Sequence, residues 1–168
     1  GVLFTGQLLA YAAMMEGKHV SWVPSYGVEM RGGTANCSVT VSDGEIGSPL
    51  VEGPDALLAF SLPALLRFAP RLRRGGLLLV NATIVKGGTE RDDVRYHPVP
   101  AGELAERMGD PQLANLVVLG AYLKLSGLLS PESVARALEK TLPVHRRHLL
   151  PLNLRALEAG AALFQGPP

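Results

Sequence analysis

The densest chemistry in the chain lies in "SYGVEMRGGTANCSV", Ser25 to Val39. Within its first nine residues it gathers an aromatic ring (Tyr26), an acid (Glu29), a cation (Arg31) and three glycines (Gly27, Gly32, Gly33), and it then passes into a strand-like segment. An ordinary hairpin loop needs one or two glycines at positive φ and some polar filling, so this stretch holds more chemistry than a turn requires. Arg31 is the only lysine or arginine between Lys18 and Arg67. A guanidinium that stands between Glu29 and two glycines can grip a carboxylate or a phosphate through paired N–H donors while a ligand or partner backbone approaches closely. Two plainer readings stand beside that one. The glycines can simply shape a surface loop, and Glu29 can pair with Arg31 across it, which is common and weakly stabilising.

The other reactive side chains are less suggestive. His19, His97, His145 and His148 do not have zinc-ligand spacing, and no Cys-x-x-Cys accompanies them. Asp92 and Asp93 read as a solvated loop pair. Arg67, Arg71, Arg73 and Arg74 fall at the end of a predicted helix, where cations meet the negative end of the dipole, and so form a charged face. Cys37 sits on the apolar side of its predicted strand and reads as core. The chain has no Gly-x-Ser-x-Gly elbow, and "GEIGSP" lacks the lysine of a phosphate loop, so catalysis by this chain alone is not expected.

Composition bounds the partners. Sixteen Lys and Arg against 15 Asp and Glu give a formal charge of +1, which supplies no global field toward nucleic acid or an anionic membrane. Hydrophobic residues make up 47%, without an apolar run long enough to span a bilayer. A secretory leader would need a basic start, and the first cation is Lys18, so the cytoplasm is the expected compartment. The single cysteine cannot build a disulfide framework or a four-thiolate cluster. At 168 residues the simplest expectation is one domain over 1–168.

The elements that must position the loop alternate between helix and strand. Val2 to Glu16 is rich in helix formers and Gly17 supplies a stop. "HVSWVPS" (His19 to Ser25) is extended. In "TANCSVTV" (Thr34 to Val41) Ala35, Cys37, Val39 and Val41 alternate with polar residues, which predicts one buried face. "SDGE" (Ser42 to Glu45) followed by "IGSPLV" predicts an antiparallel hairpin. "DALLAF" (Asp55 to Phe60) and "LLLVNATI" (Leu77 to Ile84) are continuous apolar runs of the kind covered on both faces in a parallel sheet. Between them "LPALLRFAPRLRR" predicts a helix bent at Pro70 and closed by Gly75 and Gly76. Helices follow over Pro100 to Met108, Gln112 to Leu125, from Ser130-Pro131-Glu132 onward, and Leu149 to Phe164. "LANLVVLGAYLKLSGLL" (Leu113 to Leu129) has little polar face, which fits either an intersubunit surface or a helix buried in its own core.

The pattern predicts an α/β fold with three layers: a mostly parallel, Rossmann-like sheet with an antiparallel hairpin. A helix beginning at residue two should follow a parallel strand and a tight turn. Gly1 is therefore expected to be the last glycine of that turn, with the first strand upstream of it, and the free N–H groups of the helix start would face an anion.

Taken together, "PSYGVEMRGGTANCSVTVSDGEIGSP" resembles the gamma subunit, or the equivalent fused domain, of the 2-oxoacid:acceptor (ferredoxin) oxidoreductases. That family has Gly-x-Gly-Gly-Gln-Gly, a helix, and then Ser-Tyr-Gly-x-Glu-x-Arg-Gly-Gly, and Gly1 fits the last glycine of the first motif. The resemblance continues through "GGLLLVNATIV", through "VPAGELAERMGDPQLANLVVLGAYLKLSG" with Asn115 and Gly120, and through Asn153 and Gly160. It implies part of a complex that oxidatively decarboxylates a 2-oxoacid with coenzyme A, giving acyl-CoA, carbon dioxide and reduced ferredoxin. Thiamine diphosphate, magnesium and iron–sulfur clusters are then expected in partner subunits (alpha, beta and a ferredoxin-like delta), with no cofactor held by this chain alone. Nucleic acid and membrane are not expected partners.

The resemblance also implies a coenzyme A or subunit contact through Gly1, Tyr26, Gly27, Glu29, Arg31, Gly32, Gly33 and Asn115. Arg31 would meet the coenzyme phosphates, a partner carboxylate or Glu29. Pyruvate-type chains tend toward Glu-Arg-Arg-Gly-Ala-Pro at this loop, whereas "EMRGGTANCSV" with "IGSP" is more similar to the 2-oxoglutarate group and its branched-chain relatives, and 2-oxoglutarate is the favoured substrate. A stand-alone nucleotide-binding α/β protein and a purely structural interface module remain the alternatives. Against the first, the extended segment ends in Pro24-Ser25 rather than in the acid that would meet a ribose.

Overall fold

A computed structural model describes residues 1–25 and 35–165. Its elements are α1 (Val2–Met15), β1 (His19–Ser25), β2 (Asn36–Ser42), β3 (Ala56–Ala59), α2 (Leu62–Phe68), β4 (Leu77–Asn81), β5 (Arg95–Val99), α3 (Ala101–Arg107), α4 (Ala114–Ser126), α5 (Pro131–Thr141) and α6 (Leu150–Ala162), with short 3-10 segments between some of them. The α/β class is as expected: a parallel three-stranded sheet and an antiparallel two-stranded one. The chain divides into two compact units, one of residues 1–51 and 127–151, the other of 52–126 and 152–168.

In the first unit α1 lies on the β1–β2 ribbon and on α5. The ribbon pairs antiparallel from His19 with Ser42 to Ser25 with Asn36. Gly6 lets α1 approach the ribbon, because a Cβ there would collide with the Cys37 sulfur and stand 3.1 Å from Trp22 Nε1. The far end of α1 is tied to the start of α5. The Glu16 carboxylate accepts from the Ser130 backbone N–H at 2.7 Å, and that bond is the main reason its pKa lies below the usual carboxylate range. Ser130 in turn caps α5 by accepting from the Ser133 N–H at 3.2 Å, the helix start that its Ser-Pro-Glu sequence predicts.

Two expectations for this unit are corrected. Residues 43–51 form no strand, so the antiparallel hairpin is β1–β2 and not one turning at Ser42–Glu45. Pro49 has no N–H for a ladder, and the Ser42 and Ser48 hydroxyls accept from the backbone two residues on, at 3.1 and 3.2 Å, bending the chain locally. The alternation expected in β2 is also absent, since every residue from Asn36 to Ser42 is half-buried. A two-stranded ribbon has no flanking strands to divide a covered face cleanly from a wet one.

The second unit is built on the parallel sheet β3-β4-β5. Central β4 is buried at all five positions, as its apolar run predicts. Its Leu78 and Val80 join Ala59, Leu65, Ala69, Leu72 and Val85 in one cluster. The helix after β3 runs from Leu62 to Phe68 and passes into a 3-10 turn at Ala69–Arg71, the bend expected at Pro70. Strand β5, "RYHPV", is an element the sequence pattern does not announce. Arg95 and Pro98 suit an edge position, where one side of the backbone needs no partner.

Asp93 is not part of a solvated pair. It is half-buried and takes both prongs of Arg91 at 2.8 and 2.6 Å, while the same guanidinium donates to the Ala69 and Leu72 carbonyls at 2.9 and 2.5 Å. Arg91 thereby staples the 3-10 turn to the segment that leads into β5.

Helix α4 belongs to the core of this unit: Ala114 and the whole run Leu116 to Ala121 are buried. Of the two readings its sequence allows, burial in its own core is the one the fold adopts. Gly120 makes this possible, because a Cβ there would run into the backbone carbonyl of Leu157 on α6, and one on Gly160 would run into that of Val117. The two helix backbones touch with nothing between them.

Candidate functional site

Three elements meet at one end of the first unit: the start of α1, the end of β1 and the start of β2. Gly1 is the N-cap of α1, without a side-chain cap, and its carbonyl accepts from the Thr5 N–H at 3.0 Å and the Thr5 hydroxyl at 2.9 Å. The first N–H groups of a helix have no acceptor inside it, and no acid occupies this first turn. Cys37, one residue into β2, donates its thiol to the Val2 carbonyl at 3.8 Å and pairs across the ribbon with Pro24. The bases of the loop, Ser25 and Asn36, therefore lie at the end of the ribbon that touches the first residues of α1.

Of the sequence-predicted site residues, Tyr26, Gly27, Glu29, Arg31, Gly32 and Gly33 lie outside the described residues. Gly1 stands at the α1 start. Asn115 is half-buried in the first turn of α4, in the other unit. Residues that the sequence does not single out for this place are Gly6 and Trp22. The indole Nε1 of Trp22 is buried without a hydrogen-bond acceptor among the described residues and faces the approach of Gly6 and Cys37. Burial pushes the Cys37 thiol pKa up, and the indole N–H, which favours the thiolate, offsets part of that rise. A raised pKa keeps the sulfur protonated and unreactive, which agrees with a packing role. The only hint in the sequence was a glycine in the middle of a helix, where it costs about 1 kcal/mol unless close packing requires it.

The basic run of the second unit is largely spent on local partners. Arg73 pairs with Asp55 at 3.0 Å, Arg74 reaches Asp93 at 3.7 Å, and the Arg67 guanidinium lies 5.1 Å over the Phe68 ring. Within the described residues no group of three or more His, Cys, Asp or Glu is arranged to hold a metal ion, and no helix is long and apolar enough to cross a membrane. The geometry defines an α/β protein in which the uncapped start of α1 meets the facing ends of β1 and β2.

Residues 1–163 match the family described as Pyruvate ferredoxin/flavodoxin oxidoreductase, and the chain belongs to that family. It is 43% identical over 165 residues to the ketoisovalerate oxidoreductase subunit VorA of Methanothermobacter thermautotrophicus, which takes in 96% of this chain but 33% of that relative. It is 35% identical over 171 residues to the 2-oxoglutarate synthase subunit KorC of the same organism, covering 98% of this chain and 89% of the relative. Among solved structures, the keto/oxoacid ferredoxin oxidoreductase gamma subunit from Geobacter sulfurreducens aligns over 96% of this chain and 90% of its own, with a TM-score of 0.82 and 30% identity. The chain thus spans about a third of one curated relative and nearly all of another.

Proposed function

We propose that the chain serves as the gamma-type component of a 2-oxoacid:ferredoxin oxidoreductase, which oxidatively decarboxylates a 2-oxoacid with coenzyme A to acyl-CoA, carbon dioxide and reduced ferredoxin. The observation that carries this reading is the match of nearly the whole chain to the family, together with a Ser-Tyr-Gly-x-Glu-x-Arg-Gly-Gly sequence that connects β1 and β2, whose facing ends lie beside the α1 start. Its contribution would be assembly and coenzyme A binding. Uncapped N–H groups at Val2, Leu3 and Phe4 suit an anionic group such as a coenzyme phosphate, and Arg31 would supply the matching cation. Gly1, Tyr26, Gly27, Glu29, Gly32, Gly33 and Asn115 complete the proposed contact set. One cysteine does not fit a four-thiolate cluster, so iron–sulfur clusters and thiamine diphosphate are assigned to the alpha, beta and delta partners, and the cytoplasm to the assembly.

The loop sequence supports 2-oxoglutarate as the substrate. A branched-chain 2-oxoacid is the second reading, favoured by the 43% identity to the ketoisovalerate subunit against 35% to the 2-oxoglutarate one. Purifying the chain with its native partners and comparing kcat/KM for 2-oxoglutarate, 3-methyl-2-oxobutanoate and pyruvate decides between them. Arg31→Ala is expected to leave melting unchanged and to raise the KM for coenzyme A about ten- to a hundredfold, the cost of one charge-assisted contact of about 1.5–3 kcal/mol. Loss of the chain from the complex on gel filtration would instead assign Arg31 to assembly. Normal assembly with unchanged coenzyme kinetics would leave it a solvated partner of Glu29.

A further inference from the structure

We infer that the basic segment between α5 and α6 is a docking ridge for a carboxylate-rich face of a partner protein. Val144–Leu149 forms a 3-10 helix of six residues with none buried, longer than the three or four residues at which such helices usually stop. Every residue from Pro143 to His148 is exposed, Val144 at 77%. With three residues per turn, His145 stacks over His148 and Val144 over Arg147, while Arg146 points in a third direction, so the segment offers donors all round. Pro143 and Pro151 stiffen its two ends, which lowers the ordering cost of binding.

Density of charge sets this segment apart, because His145, Arg146, Arg147 and His148 are four consecutive exposed side chains with N–H donors. In the second unit Arg73, Arg74 and Arg91 each meet a carboxylate, and the exposed Arg107 and Arg155 stand singly on their helices. Among the described residues, Arg146 and Arg147 form no ion pair, and neither does the exposed Lys140 at the end of α5. Two unspent guanidinium forks suit carboxylates, and the exposed Val144 beside them supplies an apolar contact that a purely electrostatic site would lack. The segment carries no Phe, Tyr or Trp for base stacking, and the formal charge of +1 supplies no net basic field, so single-stranded nucleic acid is disfavoured. One aliphatic side chain is too little for a lipid surface.

The test measures binding of the full chain to a labelled poly-L-glutamate of about 20 residues by fluorescence anisotropy, beside single-stranded RNA of equal length and phosphatidylserine vesicles. Poly-L-glutamate is expected to bind most tightly, with a Kd that rises between low and physiological salt. The double variant Arg146→Glu/Arg147→Glu is expected to lose about tenfold or more in affinity with an unchanged circular dichroism melt, and Arg107→Glu/Arg155→Glu, the same charge change on exposed helical arginines elsewhere, less than about twofold. Equal losses in both variants, absence of binding, or tighter binding of RNA or vesicles would overturn the inference.

Discussion

The two units solve the problem of packing helices on strands in opposite ways. In the second, the strand at the centre of the sheet is apolar from Leu77 to Val80 and buried at all five of its residues, the polar Asn81 included, and two helices meet through Gly120 and Gly160 with backbone against backbone. In the first, no residue of the ribbon is fully buried, and the helix is fitted to it by one glycine, one sulfur and one indole. The difference teaches where chemistry can be placed. A fully packed sheet has no slack for a loop that must meet a ligand or a partner, whereas a half-buried ribbon can carry such a loop at its end without losing a core.

The contrast can be broken at its strongest point first. Gly160→Val places methyl groups where the Val117 carbonyl stands, and backbone cannot step aside as a side-chain tip can. The expected loss is at or above about 3 kcal/mol, seen as faster hydrogen exchange at the β4 amides. Unchanged protection of Leu78 to Val80 would show that α4 and α6 are not locked together. Next, Leu79→Ala in β4 is expected to cost about 2–5 kcal/mol in denaturant unfolding, and Val39→Ala in β2 about 1 kcal/mol or less. Similar costs at the two sites would erase the distinction between the units.

A smaller effect is expected at the helix–ribbon joint. Gly6→Ala should destabilise by about 1–2 kcal/mol, because the new methyl group meets the Cys37 sulfur, and Cys37→Ala should relieve much of that cost in the double variant. Simple additivity of the two changes would mean that the sulfur is not what holds the helix at its distance.

Acid should separate the two units by the pH at which each responds. His97, on β5 and in edge contact with Phe164 at 5.2 Å, has its pKa lowered by burial and then by Arg95. A base with a depressed folded pKa leaves the fold at full stability above its unfolded value of about 6.5 and destabilises it as pH falls through that value toward the folded one. Glu16, lowered mainly by the Ser130 N–H, contributes stability above the unfolded carboxylate pKa of about 4.3, and that contribution disappears as pH falls through its folded pKa. His97→Gln should therefore flatten the stability profile just below neutrality and Glu16→Gln only in the carboxylate range. A profile that either variant leaves untouched would remove that residue from the account.

Much of the architecture was legible because it depends on neighbours in sequence. Ser130-Pro131-Glu132 announced α5 through a hydroxyl cap and a proline that needs no hydrogen bond, and the apolar run after Gly76 announced β4. The candidate site was proposed from residue type alone, as Arg31 beside glycines, and lies outside the described residues, while Gly1 stands at the N-cap of α1. Strand β5 was hidden because Arg95 and Pro98 are poor strand residues unless an edge is available, and whether an edge is available is a property of the sheet.

By itself the sequence determined the α/β class, the order of helices and central strands, and the family, because caps, turns and apolar periodicity act over a few residues and the Glu-x-Arg-Gly-Gly segment is specific. Tertiary structure alone decided which strands pair in the ribbon, that α4 is interior to its unit, that the Arg91 guanidinium reaches the Ala69 and Leu72 carbonyls, and that Gly6, Trp22 and Cys37 meet. Each of these depends on a partner many residues away. Pairing and burial are settled by the free energy of bringing distant surfaces together, and no local window of the chain contains both halves of such a contact.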